Sequence, residues 1–151
     1  MVNWRIIGYK TMDKILAPFG NLKISPNRVS WLSLLFSIFV YFTLQKHFFI
    51  ASLMLLFFVL FLDGLDGFLA RKKKIASFKG LIVDTSCDRL SEFIIFFPFK
   101  LWILLAAINV FINVLRLKDK NVFILPLRHF FLILMVVGLT IGFEKISFLL
   151  I

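Results

Sequence analysis

The chain has 151 residues, of which 61% are hydrophobic and 21 are phenylalanine. Soluble domains are usually about 45–50% apolar, so this composition excludes an ordinary water-soluble fold, and the length suits one helical membrane domain. The net charge of +10 does not point to nucleic acid, because the cations sit between apolar runs rather than along one polar face.

Residues 1–28 read as an amphipathic juxtamembrane segment. Trp4, Met12, Ile15 and Phe19 recur at helical spacing, whereas Asn3, Lys10, Asp13 and Lys14 are polar, a pattern suited to a helix lying on a membrane face. Pro18 and Gly20 end it, and Pro26 stands where a helix start tolerates proline. No cleavable signal peptide is expected, since the first long apolar run begins near Val29 without a small-residue cleavage site.

Residues 29–151 read as one transmembrane domain. Five apolar segments, at 29–46, 48–70, 80–99, 101–116 and 122–142, approach the roughly 20 residues needed to span a bilayer. The last residues form a stub too short to cross, so a sixth span is absent or truncated. The fold class is therefore all-α, a polytopic membrane helical bundle. Arg5, Lys10, Lys14, Lys23 and Arg28 share one side with Arg71–Lys74 and Lys79, and with Arg116, Lys118 and Lys120. The other side holds Lys46, Lys100 and Lys145. By the positive-inside rule the first side, with the N-terminus, faces the cytoplasm. Trp31 and Trp102, at segment starts, are expected in aromatic belts. The single Cys87 precludes an internal disulfide and reads as a packing residue.

Four of the eight acidic residues fall between Asp63 and Asp88. Asp63 and Asp66 are three apart, and Gly67 and Ala70 continue their stripe; Asp84 and Asp88 are four apart, with Gly80 one turn earlier. A short basic link joins the two helices. They are expected to lie antiparallel and close, with the small residues admitting either the facing backbone or a ligand. Four unpaired carboxylates in low dielectric repel, and ionisable groups inside a span read as functional. Oxygen ligands without His or Cys suit Mg2+, Mn2+ or Ca2+, and four acids suit two ions clamping a phosphoryl group. The bland alternative pairs the acids with Arg71, Lys72–Lys74 and Arg89 as interfacial ion pairs.

The run Asp63-x-x-Asp66-Gly67-x-x-Ala70-Arg71, followed after eight residues by Gly80-x-x-x-Asp84-x-x-x-Asp88, resembles the signature of CDP-alcohol phosphatidyltransferases. Residues 25–35, "SPNRVSWLSLL", resemble the lead into that family's first span. The resemblance implies a six-helix, often homodimeric membrane enzyme that moves a phosphatidyl-type group from a CDP-linked lipid to a small alcohol, releasing CMP. It implies that Asp63, Asp66 and Asp84 hold the metal, Mg2+ with Mn2+ as a substitute. By the same resemblance Asp88 would lie close enough to join the ligands and would act as general base. The resemblance also implies that Gly67, Arg71, Ser77 and Gly80 contact the CDP-lipid, with Pro26 and Asn27 at the opening of the same pocket.

For the acceptor, Arg116 and Lys118 end the fourth segment, and Arg128 and His129 lie one to two turns into the fifth. A cation in a span needs an anionic partner, and a phosphorylated alcohol such as inositol phosphate or glycerol 3-phosphate supplies one. His129 has no metal-ligand partner and reads as interfacial. The other readings are an intramembrane prenyltransferase, and a divalent-cation transporter or a non-catalytic membrane scaffold. An intramembrane prenyltransferase has no place for the Gly-x-x-Ala-Arg element, and a divalent-cation transporter would set its acids near the midplane rather than toward one face.

Overall fold

A computed structural model describes residues 13–75, 77–116 and 125–142. Residues 1–12 and 143–151, which hold much of the expected amphipathic helix and the C-terminal stub, lie outside the described residues. Every regular element described is helical. Residues 13–16 are helical and run into a short 3-10 turn, Ala17–Asn21. Five helices follow: α1 (Pro26–Gln45), α2 (Phe49–Lys72), α3 (Phe78–Phe96), α4 (Lys100–Arg116) and α5 (Leu127–Ile141).

Two helices are long and apolar enough to cross a membrane, α1 with 20 residues and α2 with 24. At 1.5 Å per residue these reach about 30 and 36 Å. The apolar helices α4 and α5 have 17 and 15 residues, and α3 carries Lys79, Asp84, Asp88, Arg89 and Glu92 along its 19 residues. Two spans are thus clear by composition. Large apolar side chains face outward on every helix, among them Phe39, Ile50, Phe57, Phe111 and Ile133, as lipid-facing surfaces require.

All five helices contribute to the main core. Val40 and Leu44 of α1, Leu56 and Val59 of α2, and Ile95 and Phe96 of α3 meet Trp102, Ala106, Leu127, Phe131 and Met135. Phe96, Trp102 and Phe131 form an aromatic triad with centroids 5.0–5.1 Å apart. Trp102 therefore packs inside the bundle, not in an interfacial belt, because short α4 turns its first ring onto α3 and α5; Trp31 is exposed. Where α1 meets α2, Ser33 and Ser37 are buried. Their small side chains allow close approach, and Ser33 donates to the Val59 carbonyl at 3.4 Å.

A second core joins Leu16 and Val29 to Leu62, Leu65, Phe68 and Leu69. It seats the juxtamembrane segment on the far end of α2, where Lys73 donates to the Leu22 and Ile24 carbonyls at 2.8 and 2.7 Å. Helix α1 packs along both α2 and α3, α3 packs on α4, and α5 packs on α2. The expected close contact of α2 with α3 is not among these pairings. Both helices pack on α1, while their carboxylates Asp63, Asp66 and Asp84 still meet.

Candidate metal centre and nucleotide pocket

The acidic ends of α2 and α3 are set by local rules. The α2 stripe ends at Lys72, with basic Arg71 and Lys72 in its last turn, where the helix dipole favours cations. Helix α3 begins at an N-cap, Ser77, whose hydroxyl accepts the Gly80 N–H at 3.1 Å. Between these ends, Asp63, Asp66 and Asp84 each bring a carboxylate oxygen within 4.8 Å of the others.

Each carboxylate is held differently. Asp66 is buried, and its Oδ2 accepts a 2.6 Å hydrogen bond from Ser30 on α1. Its Oδ1 is buried with no hydrogen-bond partner among the described residues. Asp63 Oδ2 and Asp88 Oδ1 lie 3.0 and 2.8 Å from the same guanidinium nitrogen, Arg128 Nη2. Asp88, also expected among the ligands, stands outside the trio and beside this cation. The donors are oxygens only, several negative charges face one guanidinium, and one buried oxygen points to no protein partner. These features fit a hard divalent cation.

The ion pairs seen give the arginines of the bland alternative other partners. Arg71 pairs with Asp13 at 2.8 Å and Arg89 with Glu92 at 2.6 Å, while Lys72 reaches Asn21 and Lys73 the backbone. Among the described residues, the ion pairs seen on Asp63 and Asp88 come from Arg128 on α5, a helix remote in sequence.

A cavity of about 430 Å3 opens beside the trio. Asp66 and Asp84 form its acidic wall, and Gly67, Ala70 and Arg71 continue it along α2. Ser77, Gly80 and Leu81 line it from α3; Ser25, Pro26, Asn27 and Ser30 line it from the start of α1. All six residues expected to contact a CDP-lipid are thereby brought together. The glycines keep this space open: a Cβ at Gly67 would sit 3.3 Å from Arg71 Nη1, and one at Gly80 3.3 Å from Ser77 Oγ and 3.7 Å from Asn27 Oδ1. Ser77 meets the cavity while capping α3, so a helix N-terminus with its positive dipole end also faces this space.

The acceptor candidates divide. Arg128 lies in the first turn of α5, further forward than the sequence pattern placed it, and is 4% exposed. Its Nη1 has no hydrogen-bond partner among the described residues. Arg116 ends α4, but its side chain, like Lys118, lies outside the described residues. His129 is exposed.

Three residues that the sequence pattern does not single out are Ser30, which bonds Asp66, and Glu92 and Asn109, which join Arg89 in a buried polar group. Glu92 and Asn109 are 2% and 1% exposed, and their signal was available: strongly polar residues within apolar segments. Ser30 carried no such signal, because serine is common in membrane helices.

No curated protein and no solved structure matches the chain. A family model, described as CDP-alcohol phosphatidyltransferase, matches residues 23–147, a range holding both helices of the carboxylate cluster and the whole cavity lining. The chain belongs to the CDP-alcohol phosphatidyltransferase family.

Proposed function

We propose that this chain transfers a phosphatidyl-type group, a diacylglycerol or archaeol phosphate, from a CDP-linked lipid to a small phosphorylated alcohol, with release of CMP. The family's reaction is phosphatidyl transfer from a CDP-alcohol to an alcohol, and its members are membrane-embedded and depend on divalent metals. The observation that carries the reading is the adjacency of the Asp63–Asp66–Asp84 trio to a cavity whose walls combine an arginine, glycines and a helix N-terminus.

Asp63, Asp66 and Asp84 would hold Mg2+, with Mn2+ as a substitute and two ions as the count that four acids suit. A cation bound there supplies charge neutralisation for the pyrophosphate and the leaving CMP. Gly67 and Gly80 let the substrate approach the backbone, and Arg71 offers a planar fork to phosphate oxygens. Pro26, Asn27 and Ser77 bound the nucleotide end. Asp88 takes the proton from the acceptor hydroxyl as that oxygen bonds to the lipid-bearing phosphorus. The bond from that phosphorus to the CMP oxygen breaks, and CMP leaves with both electrons. Arg128 holds Asp88 through Oδ1 while this occurs.

The unpartnered Nη1 of buried Arg128 supports an anionic acceptor, inositol phosphate or glycerol 3-phosphate, with Arg116 and Lys118 as further contacts. A second reading, an uncharged or zwitterionic acceptor such as glycerol, inositol or serine, is favoured by the two carboxylates that Arg128 already serves. The alternation of basic and sparsely charged loops supports five spans, with the N-terminus and site facing the cytoplasm, in a cell membrane. Residues 1–28 form the juxtamembrane element and 29–151 the catalytic domain, acting as a homodimer.

The test supplies purified protein with a CDP-lipid and a panel of phosphorylated and unphosphorylated alcohols, and identifies the lipid product by mass. A product from a phosphate-bearing acceptor supports the first reading. A product only from uncharged acceptors establishes the second.

A further inference from the structure

The turn that starts α5 is held by one side chain of α4. Asn109 Nδ2 donates to the Leu125 carbonyl at 2.9 Å, and Asn109 Oδ1 accepts the Leu125 N–H at 3.2 Å. Both backbone polar groups of one loop residue are thus taken by a single carboxamide. The same Nδ2 donates to Glu92 Oε2 at 3.2 Å, and Glu92 is itself tied to Arg89 at 2.6 Å. With both amide hydrogens and the oxygen engaged, the carboxamide has one orientation; flipped, its oxygen would face Glu92 and the Leu125 carbonyl.

The residue after Leu125 is Pro126, at φ −82° and ψ 65°, the geometry of an inverse γ-turn. Its bond is present, from Leu127 N to Leu125 O at 3.0 Å. The first helical bonds of α5 then run to the Pro126 carbonyl from His129 and Phe130. Arg128 lies within that first turn, so the rotation of the turn sets where its guanidinium points. It points between Asp63 and Asp88.

We propose that Asn109 is a positioning residue: its carboxamide, oriented by Glu92, clamps the Leu125–Pro126 turn and thereby aims Arg128 between Asp63 and Asp88. Among the described residues, Asn109 has no hydrogen bond to Asp63, Asp66, Asp84 or Asp88 and does not line the cavity. It acts through Arg128, and in its activity readout the inference rests on the transferase reading above.

The experiment is a double-mutant cycle on the intact protein, with Asn109→Leu and Arg128→Lys alone and together. Two quantities are read: kcat and KM for CMP release from a CDP-lipid, and the affinity for Mn2+ titrated by electron paramagnetic resonance without substrate. Asn109→Leu is expected to lower kcat at least tenfold with KM for the CDP-lipid within twofold. In the Arg128→Lys background the same change lowers kcat less than twofold. Displacing the guanidinium frees Asp63, so each single variant is expected to bind Mn2+ at least threefold more tightly, and the double variant no more tightly than Arg128→Lys. Losses that multiply across the cycle, an unchanged kcat in folded Asn109→Leu, or unchanged Mn2+ affinity would overturn the proposal. If wild-type protein releases no CMP with any acceptor, the transferase reading falls, and the Mn2+ cycle still decides the role of Asn109.

Discussion

Ser30 on α1 donates a 2.6 Å hydrogen bond to Asp66 on α2, joining residues 36 apart in the chain, both buried to 3% exposure. The bond fixes Asp66 Oδ2 and leaves the buried Oδ1 without a hydrogen-bond partner among the described residues. Partners of this kind typically change metal affinity about 10–100-fold when removed. Ser30→Ala is expected to weaken Mn2+ binding by about tenfold, read by titration, with little loss of thermal stability. Unchanged affinity would mean that Asp66 is oriented by its helix alone.

Asp88 separates chemistry from binding. It lies outside the carboxylate trio, on Arg128. Loss of a general base costs roughly 10²–10⁴-fold in rate. Asp88→Asn is expected to lose kcat on that scale while the CDP-lipid dissociation constant stays within about threefold, since the neighbouring trio is intact. Equal loss of binding would make Asp88 a metal ligand first.

Arg128 is the cation that compensates Asp63 and Asp88 in the bundle interior. Removing one partner of a buried ion pair destabilises by about 3–5 kcal/mol, because the other charge is left uncompensated. Arg128→Met is expected to lower the melting temperature measured in metal-free detergent solution. Mg2+ should then raise it more in the variant than in wild type, because the ion replaces the missing positive charge. An equal Mg2+ response in both proteins would contradict metal binding at Asp63.

Gly67 gives opposite signs for stability and function. Alanine is favoured over glycine within a helix by about 1 kcal/mol, yet the added Cβ would crowd Arg71 Nη1 at 3.3 Å on the cavity wall. Gly67→Ala is expected to keep or raise the melting temperature while raising KM for the CDP-lipid about tenfold, a penalty consistent with a displaced binding group. A lower melting temperature with unchanged KM would make Gly67 a packing glycine.

The sequence reading succeeded where the physics is local. Helical periodicity placed Asp63, Asp66, Gly67 and Ala70 on one stripe, and the spacing of Asp84 and Asp88 placed them on another; the fold brings Asp63, Asp66 and Asp84 together. Pro26 begins α1 as its fixed φ allows. What failed depends on how helices rotate against one another. The partner of Asp63 is Arg128, 65 residues away, and nothing in the pattern around Arg128 reports the turn of α5 that aims it. Trp102 looked interfacial from its position at a segment start, but neighbouring Phe96 and Phe131 draw it into the core. Of the two expectations for the small residues between α2 and α3, a facing backbone or a ligand, the fold supplies the second: both helices pack on α1, and Gly67, Ala70 and Gly80 line a cavity.

The central claim is that the Asp63–Asp66–Asp84 cluster serves a metal-dependent transfer from a CDP-linked lipid. The direct measurement is CMP release by purified protein given a CDP-lipid and the acceptor panel, with Mg2+, with EDTA, and with Asp84→Asn in place of wild type. The account predicts release with Mg2+, its loss in EDTA, recovery on adding back Mg2+, and none from Asp84→Asn at any Mg2+ concentration. Release that persists in EDTA, or full activity of Asp84→Asn, would contradict it.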